Sequence, residues 1–144
     1  MRVYISSPLS TDEQKFRINE VAKYIRDCGY EVFSPMEYVV PNAWDLDCIT
    51  WSKKVQQHNL DGLNTSNVVV AIYDGLNSDT GSAFEIGYAY AKGIPVILLV
   101  TDVSIKQSLM ITNASDIVGE FREYKTLWAA FVTSQVNINI EKTV

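Results

Sequence analysis

Val68-Val69-Val70-Ala71-Ile72-Tyr73 is a continuous apolar run. After it come Asp74-Gly75-Leu76-Asn77-Ser78-Asp79-Thr80-Gly81, a helical stretch from Ser82 to Lys92, and a second apolar run over Pro95–Val100. Six apolar residues without alternation predict a strand buried on both faces. The Asp, Gly, Asn and Ser of the next segment predict a loop. Gly93 stands where a helix ends. Strand, helix and strand in that order predict a βαβ unit with parallel strands and a right-handed crossover.

The same alternation extends in both directions. Arg2–Ser6 is a β-rich run stopped by Ser7-Pro8. Ser10 and Glu13 have capping-box spacing. Behind them Ile18, Val21, Ala22, Ile25 and Cys28 repeat at helical period, and Gly29 ends the helix. This stripe places Cys28 in the core. Glu31–Phe33 is a short strand closed by Ser34-Pro35. An irregular stretch from Met36 to Asp47 follows, then a helix over Ile49–Leu63. Past the second apolar run, Asp116–Val118 predicts a last strand and Glu120–Val132 a last helix. Ser134–Val144 shows no helical pattern. These elements predict one α/β domain over residues 1–133 and a C-terminal tail over 134–144.

Composition narrows the chemistry. The chain has 144 residues, 12 basic and 17 acidic, and a formal net charge of −5. That balance gives no electrostatic footprint for a nucleic-acid polymer or an anionic membrane surface. One histidine (His58) and two cysteines (Cys28, Cys48) do not form a zinc pattern, so no metal is expected. Neither apolar run approaches the ~20 residues of a membrane span. The N-terminus carries no signal-peptide pattern, and the expected location is the cytoplasm.

Ligands in parallel sheets bind beyond the carboxyl ends of the strands. The loops leaving those ends are Ser6–Ser10, Ser34 to Asp47 and Asp74–Gly81. Asp79 stands just before a helix and Glu85 one turn into it. Gly81 and Ser82 keep the turn small, so backbone amides can approach a ligand. An ionised glutamate at that place is a nucleophile or base. The same residues also suit a plain helix start, with Asp79 or Thr80 as N-cap and Glu85 as a first-turn acid. The glycines at 75, 81 and 87 do not make a dinucleotide fingerprint. His58, Trp44 and Trp51 are further candidates for touching a base, with packing as the alternative for each.

Asp79-x-Gly81-x-x-x-Glu85-x-Gly87-Tyr88-Ala89, followed by Lys92-Gly93-x-Pro95-Val96, resembles the signature of the nucleoside 2-deoxyribosyltransferases. The resemblance extends to Val3-Tyr4-Ile5-Ser6-Ser7-Pro8, Val32-Phe33-Ser34-Pro35, Asn59-Leu60 and Leu109-Met110. It implies a flavodoxin-like (Rossmann-type) fold, with a five-stranded parallel sheet flanked by helices on both faces. It implies transfer of 2-deoxyribose between nucleobases by retaining double displacement through a covalent deoxyribosyl-glutamate, with Glu85 as nucleophile and no cofactor. Asp79 would hold sugar hydroxyls. Ser7, Pro8, Ser34, Met36, Gly81 and Met110 would contact substrate. Apart from the resemblance, Tyr88 on the helix after Glu85 is a candidate to orient it, with packing as the alternative. Asn59 and Ser108 stand where the family often has aspartate and asparagine. An asparagine hydrogen-bonds a base but delivers no proton at neutral pH. Partners would be deoxynucleosides, free nucleobases and further copies of the chain, with sites shared between subunits. Two alternatives remain: a nucleoside or nucleoside 5′-monophosphate N-glycosidase, and a non-catalytic nucleoside-binding protein.

Overall fold

The structure is a computed structural model; it describes residues 1–75 and 80–143, with side chains described through Gln135. Five strands form one sheet: β1 (Arg2–Ser6), β2 (Glu31–Phe33), β3 (Val68–Tyr73), β4 (Val96–Val100) and β5 (Ile117–Glu120). Their order is β2-β1-β3-β4-β5, and every pairing is parallel. This is the flavodoxin-like order, whose topological switch lies between β1 and β3. Among the described residues the α-helices are α1 (Asp12–Asp27), α2 (Cys48–Asn64), α3 (Thr80–Lys92), α4 (Leu109–Asn113) and α5 (Tyr124–Thr143).

Strand side chains alternate between faces, so each strand feeds two cores. Val3, Ile5, Val68, Val70, Ile72, Ile97 and Leu99 pack against Ile18, Val21 and Ile25 of α1 and Trp128 and Phe131 of α5. Tyr4, Val69, Ala71, Tyr73, Val96, Leu98 and Val100 face Leu63 of α2 and Ile86 and Ala89 of α3. β3 and β4 are buried at every position, as their unbroken apolar runs predict. α2 is different. Of its 17 residues only Gly62 and Leu63 are buried. Gly62 is needed there, because a Cβ would lie 2.4–2.7 Å from the Phe33 ring. No described helix is long and apolar enough to cross a membrane.

The structure corrects several expectations. The capping box is Thr11 with Gln14, not Ser10 with Glu13. Cys28 is exposed, because it follows the last turn of α1 and the stripe that enters the core ends at Ile25. The last helix starts at Tyr124, after β5 and a single 3-10 turn over Phe121–Glu123, and continues to Thr143. The stretch read as a tail without helical pattern is therefore helical. Val136, Ile138 and Ile140 alternate with polar residues, a period of two that hides a helix from pattern reading. Once Trp128 and Phe131 anchor α5, each further residue adds a hydrogen bond without a new nucleation cost. The short α4 falls in a stretch read as loop.

Candidate active site

Two cavities meet at Glu85. The first, of about 180 Å³, opens at the carboxyl edge of β1 and β2. Ser7 and Leu9 of the first loop line it, with Ser34, Pro35 and Met36 after β2. Asn59 of α2 and Gly81, Ser82 and Glu85 of α3 close the other side. The second is an open groove of about 380 Å³ between α2 and α3, walled by Val55, Leu60, Leu63 and Phe84. Asn59, Gly81 and Glu85 line both. A ligand that filled the cavity and extended into the groove would pass these three residues.

The local sequence explains the positions. Ser34 is where β2 stops, because Pro35 cannot continue a ladder and instead opens a 3-10 turn that carries Met36 inward. Met36 packs on the core edge. Asn59 lies on α2 between Val55 and Leu63, on the side turned to α3. The first turn of α3 carries Gly81 and the buried Ser82, with Glu85 one turn on.

The polar atoms of this site are unusual. Ser34 Oγ and Asn59 Oδ1, which line the cavity, are buried with no hydrogen-bond partner, as is Ser6 Oγ at the end of β1. Native proteins leave few such groups, and each calls for an explanation such as a ligand or a water. Tyr4 is the residue that sequence reasoning missed. Its hydroxyl is buried beneath Glu85, and its pKa is driven far above the ordinary 10, by burial first and then by the Glu85 carboxylate. The hydroxyl makes no aligned hydrogen bond. The phenol and the carboxylate are close neighbours. The signal was present: a phenol among the aliphatic residues of β1, on the face that α3 covers.

Other predicted residues lie elsewhere. Asp79 falls outside the described residues. Pro8 lines a separate cleft of about 670 Å³ beside Thr11, Arg17, Asp74 and Thr101. The Tyr88 hydroxyl donates to Asn64 Oδ1 on α2 at 2.7 Å, and the ring packs near Phe84 and Lys92. Tyr88 therefore ties α3 to α2. Ser108 caps α4 through Ile111 N–H, and Met110 is 80% exposed; neither lines the cavity. His58 is stacked on Tyr38 with ring centroids 3.6 Å apart and packs on Phe33. Trp44 is fully exposed and Trp51 partly so. Among the described residues no group of three or more His, Cys, Asp or Glu is placed to hold a metal ion.

A parallel 2-1-3-4-5 sheet with a carboxylate and orphaned hydrogen-bonding groups at its carboxyl edge defines a flavodoxin-like small-molecule site. Comparison with known proteins makes this specific. Residues 3–125 match the family model of nucleoside 2-deoxyribosyltransferase, and the chain belongs to that family. A nucleoside deoxyribosyltransferase of Lactobacillus johnsonii is 31% identical over 78 residues, 53% of this chain and 52% of the relative. The match thus spans about half of that relative's length. The solved 2-deoxyribosyltransferase of Bacillus psychrosaccharolyticus superposes with a TM-score of 0.76 at 28% identity, over 88% of this chain and 96% of the other. A CMP N-glycosidase of Clostridium botulinum superposes with a TM-score of 0.63 at 19% identity, over 92% and 99%, which shows a shared fold.

Proposed function

We propose that this protein transfers 2-deoxyribose between nucleobases, with Glu85 as the nucleophile. The observation that carries the reading is the place of Glu85, at the junction of a small cavity and an open groove, in a chain of this family. A Glu85 oxygen bonds to C1′ of the deoxynucleoside while the C1′–N bond breaks, and its electron pair leaves with the base. The sugar passes through an oxocarbenium-like transition state, as in retaining glycosidases. The departed base takes up a proton from water; a nitrogen of a second base then attacks C1′ and gives its proton back to water, the C1′–O bond to Glu85 breaks and the carboxylate is restored. Two inversions give net retention. Ser34, Met36 and Ser7 suit the base, Asp79 the sugar hydroxyls, and Asn59 the base edge.

The site also reads as one completed by a second copy of the chain. α2 is barely covered, and Leu109 and Met110 are 73% and 80% exposed on α4. Apolar side chains of that size in one short helix suit burial against another subunit.

The test is base exchange. Deoxynucleosides incubated with a free base should yield new β-deoxynucleosides by chromatography. Free deoxyribose at a rate independent of added base would instead mark a hydrolase, and binding without turnover a non-catalytic protein. Glu85→Ala should lower exchange by at least about 10³-fold; full activity in that variant would sink the mechanism.

A further inference from the structure

Asn59 carries more information than its place in the wall. Its Oδ1 is buried and has no hydrogen-bond partner, and it lines the cavity beside Glu85. A side-chain amide holds one acceptor and one donor in a single plane, and exchanging the two atoms leaves the same pair. Such a group matches a base edge that offers a donor next to an acceptor. Two kinds of base have that edge. A lactam presents a ring N–H beside a carbonyl, as in uracil, thymine and hypoxanthine. An amino base presents NH₂ beside a ring nitrogen, as in adenine and cytosine.

The leaving step separates them among the pyrimidines. When C1′–N breaks, the electron pair stays on the base. In uracil and thymine the charge spreads to two carbonyl oxygens, where an amide N–H stabilises it, and a proton from water completes the base afterwards. Preorganised donors at developing charge act strongly in a water-poor site. Cytosine has an amino group in place of one of those carbonyls and leaves readily only if it gains a proton during the step. Among the described residues lining the cavity, Glu85 is the one titratable group, and it is engaged in bonding to C1′. His58 is adjacent in sequence but packed between Tyr38 and Phe33. Asp61 accepts from Gln57 on the outer side of α2. The phenol of Tyr4 is a poor acid, since burial and Glu85 hold its proton on.

We infer that the site takes deoxynucleosides of the lactam pyrimidines ahead of deoxycytidine, because Asn59 pairs with the lactam edge and none of the described residues lining the cavity protonates the base. Ser34 Oγ, buried without a partner in the same cavity, offers a further hydroxyl to a base carbonyl.

The inference rests on deoxyribosyl transfer, and the experiment separates the two. kcat/KM is measured with the wild-type protein for deoxyuridine, thymidine and deoxycytidine, with one common acceptor base. A positioned general acid is worth about 10²–10⁴-fold, so its lack should leave deoxycytidine about 10²-fold slower. Asn59→Asp, which supplies an acid, should narrow that ratio at least about tenfold. Exchange in which deoxycytidine equals the lactam substrates overturns the inference and leaves the transfer reading standing. If no substrate is exchanged, the transfer reading falls. Calorimetric binding of free uracil and cytosine then decides: tighter uracil, lost in Asn59→Ala, supports the lactam preference, and equal binding overturns it.

Discussion

Asp74 and Glu85 both stand at the carboxyl edge of the sheet, in surroundings built on opposite plans. Asp74 is fully engaged. Its Oδ1 accepts from Arg17 Nη1 at 3.1 Å and from Thr101 Oγ1 at 2.7 Å, and its Oδ2 accepts from Gln14 Nε2 at 2.9 Å. The cleft beside it, about 670 Å³, is the larger of the two spaces. Yet the charged side chains that line it are all paired: Glu13 with Arg17, Arg17 with Asp74, and Asp102 with Ser104. The cavity at Glu85 holds about 180 Å³ and keeps Ser34 Oγ and Asn59 Oδ1 without partners. Volume therefore does not mark the site. A satisfied network holds the fold together, and an unsatisfied one waits for a ligand to complete it.

The contrast can be broken at three places. Asp74→Ala has the largest expected effect. It leaves the Arg17 guanidinium, 18% exposed, without its inner partner. Breaking a mostly buried pair costs about 3 kcal/mol, read from a denaturant melt. A loss below about 1 kcal/mol would show that the cluster is not a structural tie. Ser34→Ala should behave in the opposite way. Removing an unpaired buried hydroxyl should leave stability unchanged or raise it by up to about 1 kcal/mol, while KM for the nucleoside rises several-fold. Clear destabilisation would mean that the hydroxyl is already satisfied. The smallest effect belongs to His58. Burial pushes its pKa below 6.5 and Arg2 adds to this, while Asp61 opposes both. As pH falls through about 6.5 the unfolded chain takes up the proton first, so stability present above that pH is lost below it. Melting temperatures from pH 8 to 5.5 should fall less steeply in His58→Gln than in the wild type.

The sheet was legible because β3 and β4 are buried on both faces and their composition says so directly. The boundary of the last helix was not. The sequence of α5 beyond Thr133 has no apolar stripe, and its helix continues from packing laid down at Trp128 and Phe131. The capping box shows a subtler limit. Ser10 with Glu13 and Thr11 with Gln14 both have the required spacing, and local sequence does not choose between them. Asp74 chooses, by drawing the amide of Gln14 across to β3. At the site, Glu85, Asn59, Ser34 and Met36 could be named from motif and loop position. The bond of the Tyr88 hydroxyl to Asn64 on α2 was not legible, because it joins residues of two helices 24 positions apart in sequence. Tyr4 stayed hidden because a tyrosine inside a strand reads as one more core residue.

Gln14 closes the capping box and reaches Asp74 with the same side chain. Its Oε1 accepts from the amides of Ser10 and Thr11, and its Nε2 holds a carboxylate 60 residues away. The start of α1 and the end of β3 are thus fastened by one amide. In hydrogen exchange, the amide protons of two surface-loop residues should then be retained as long as those of the central sheet, and Asp74→Ala should release both together. A short loop would in this way serve as a clock for the integrity of the whole carboxyl edge.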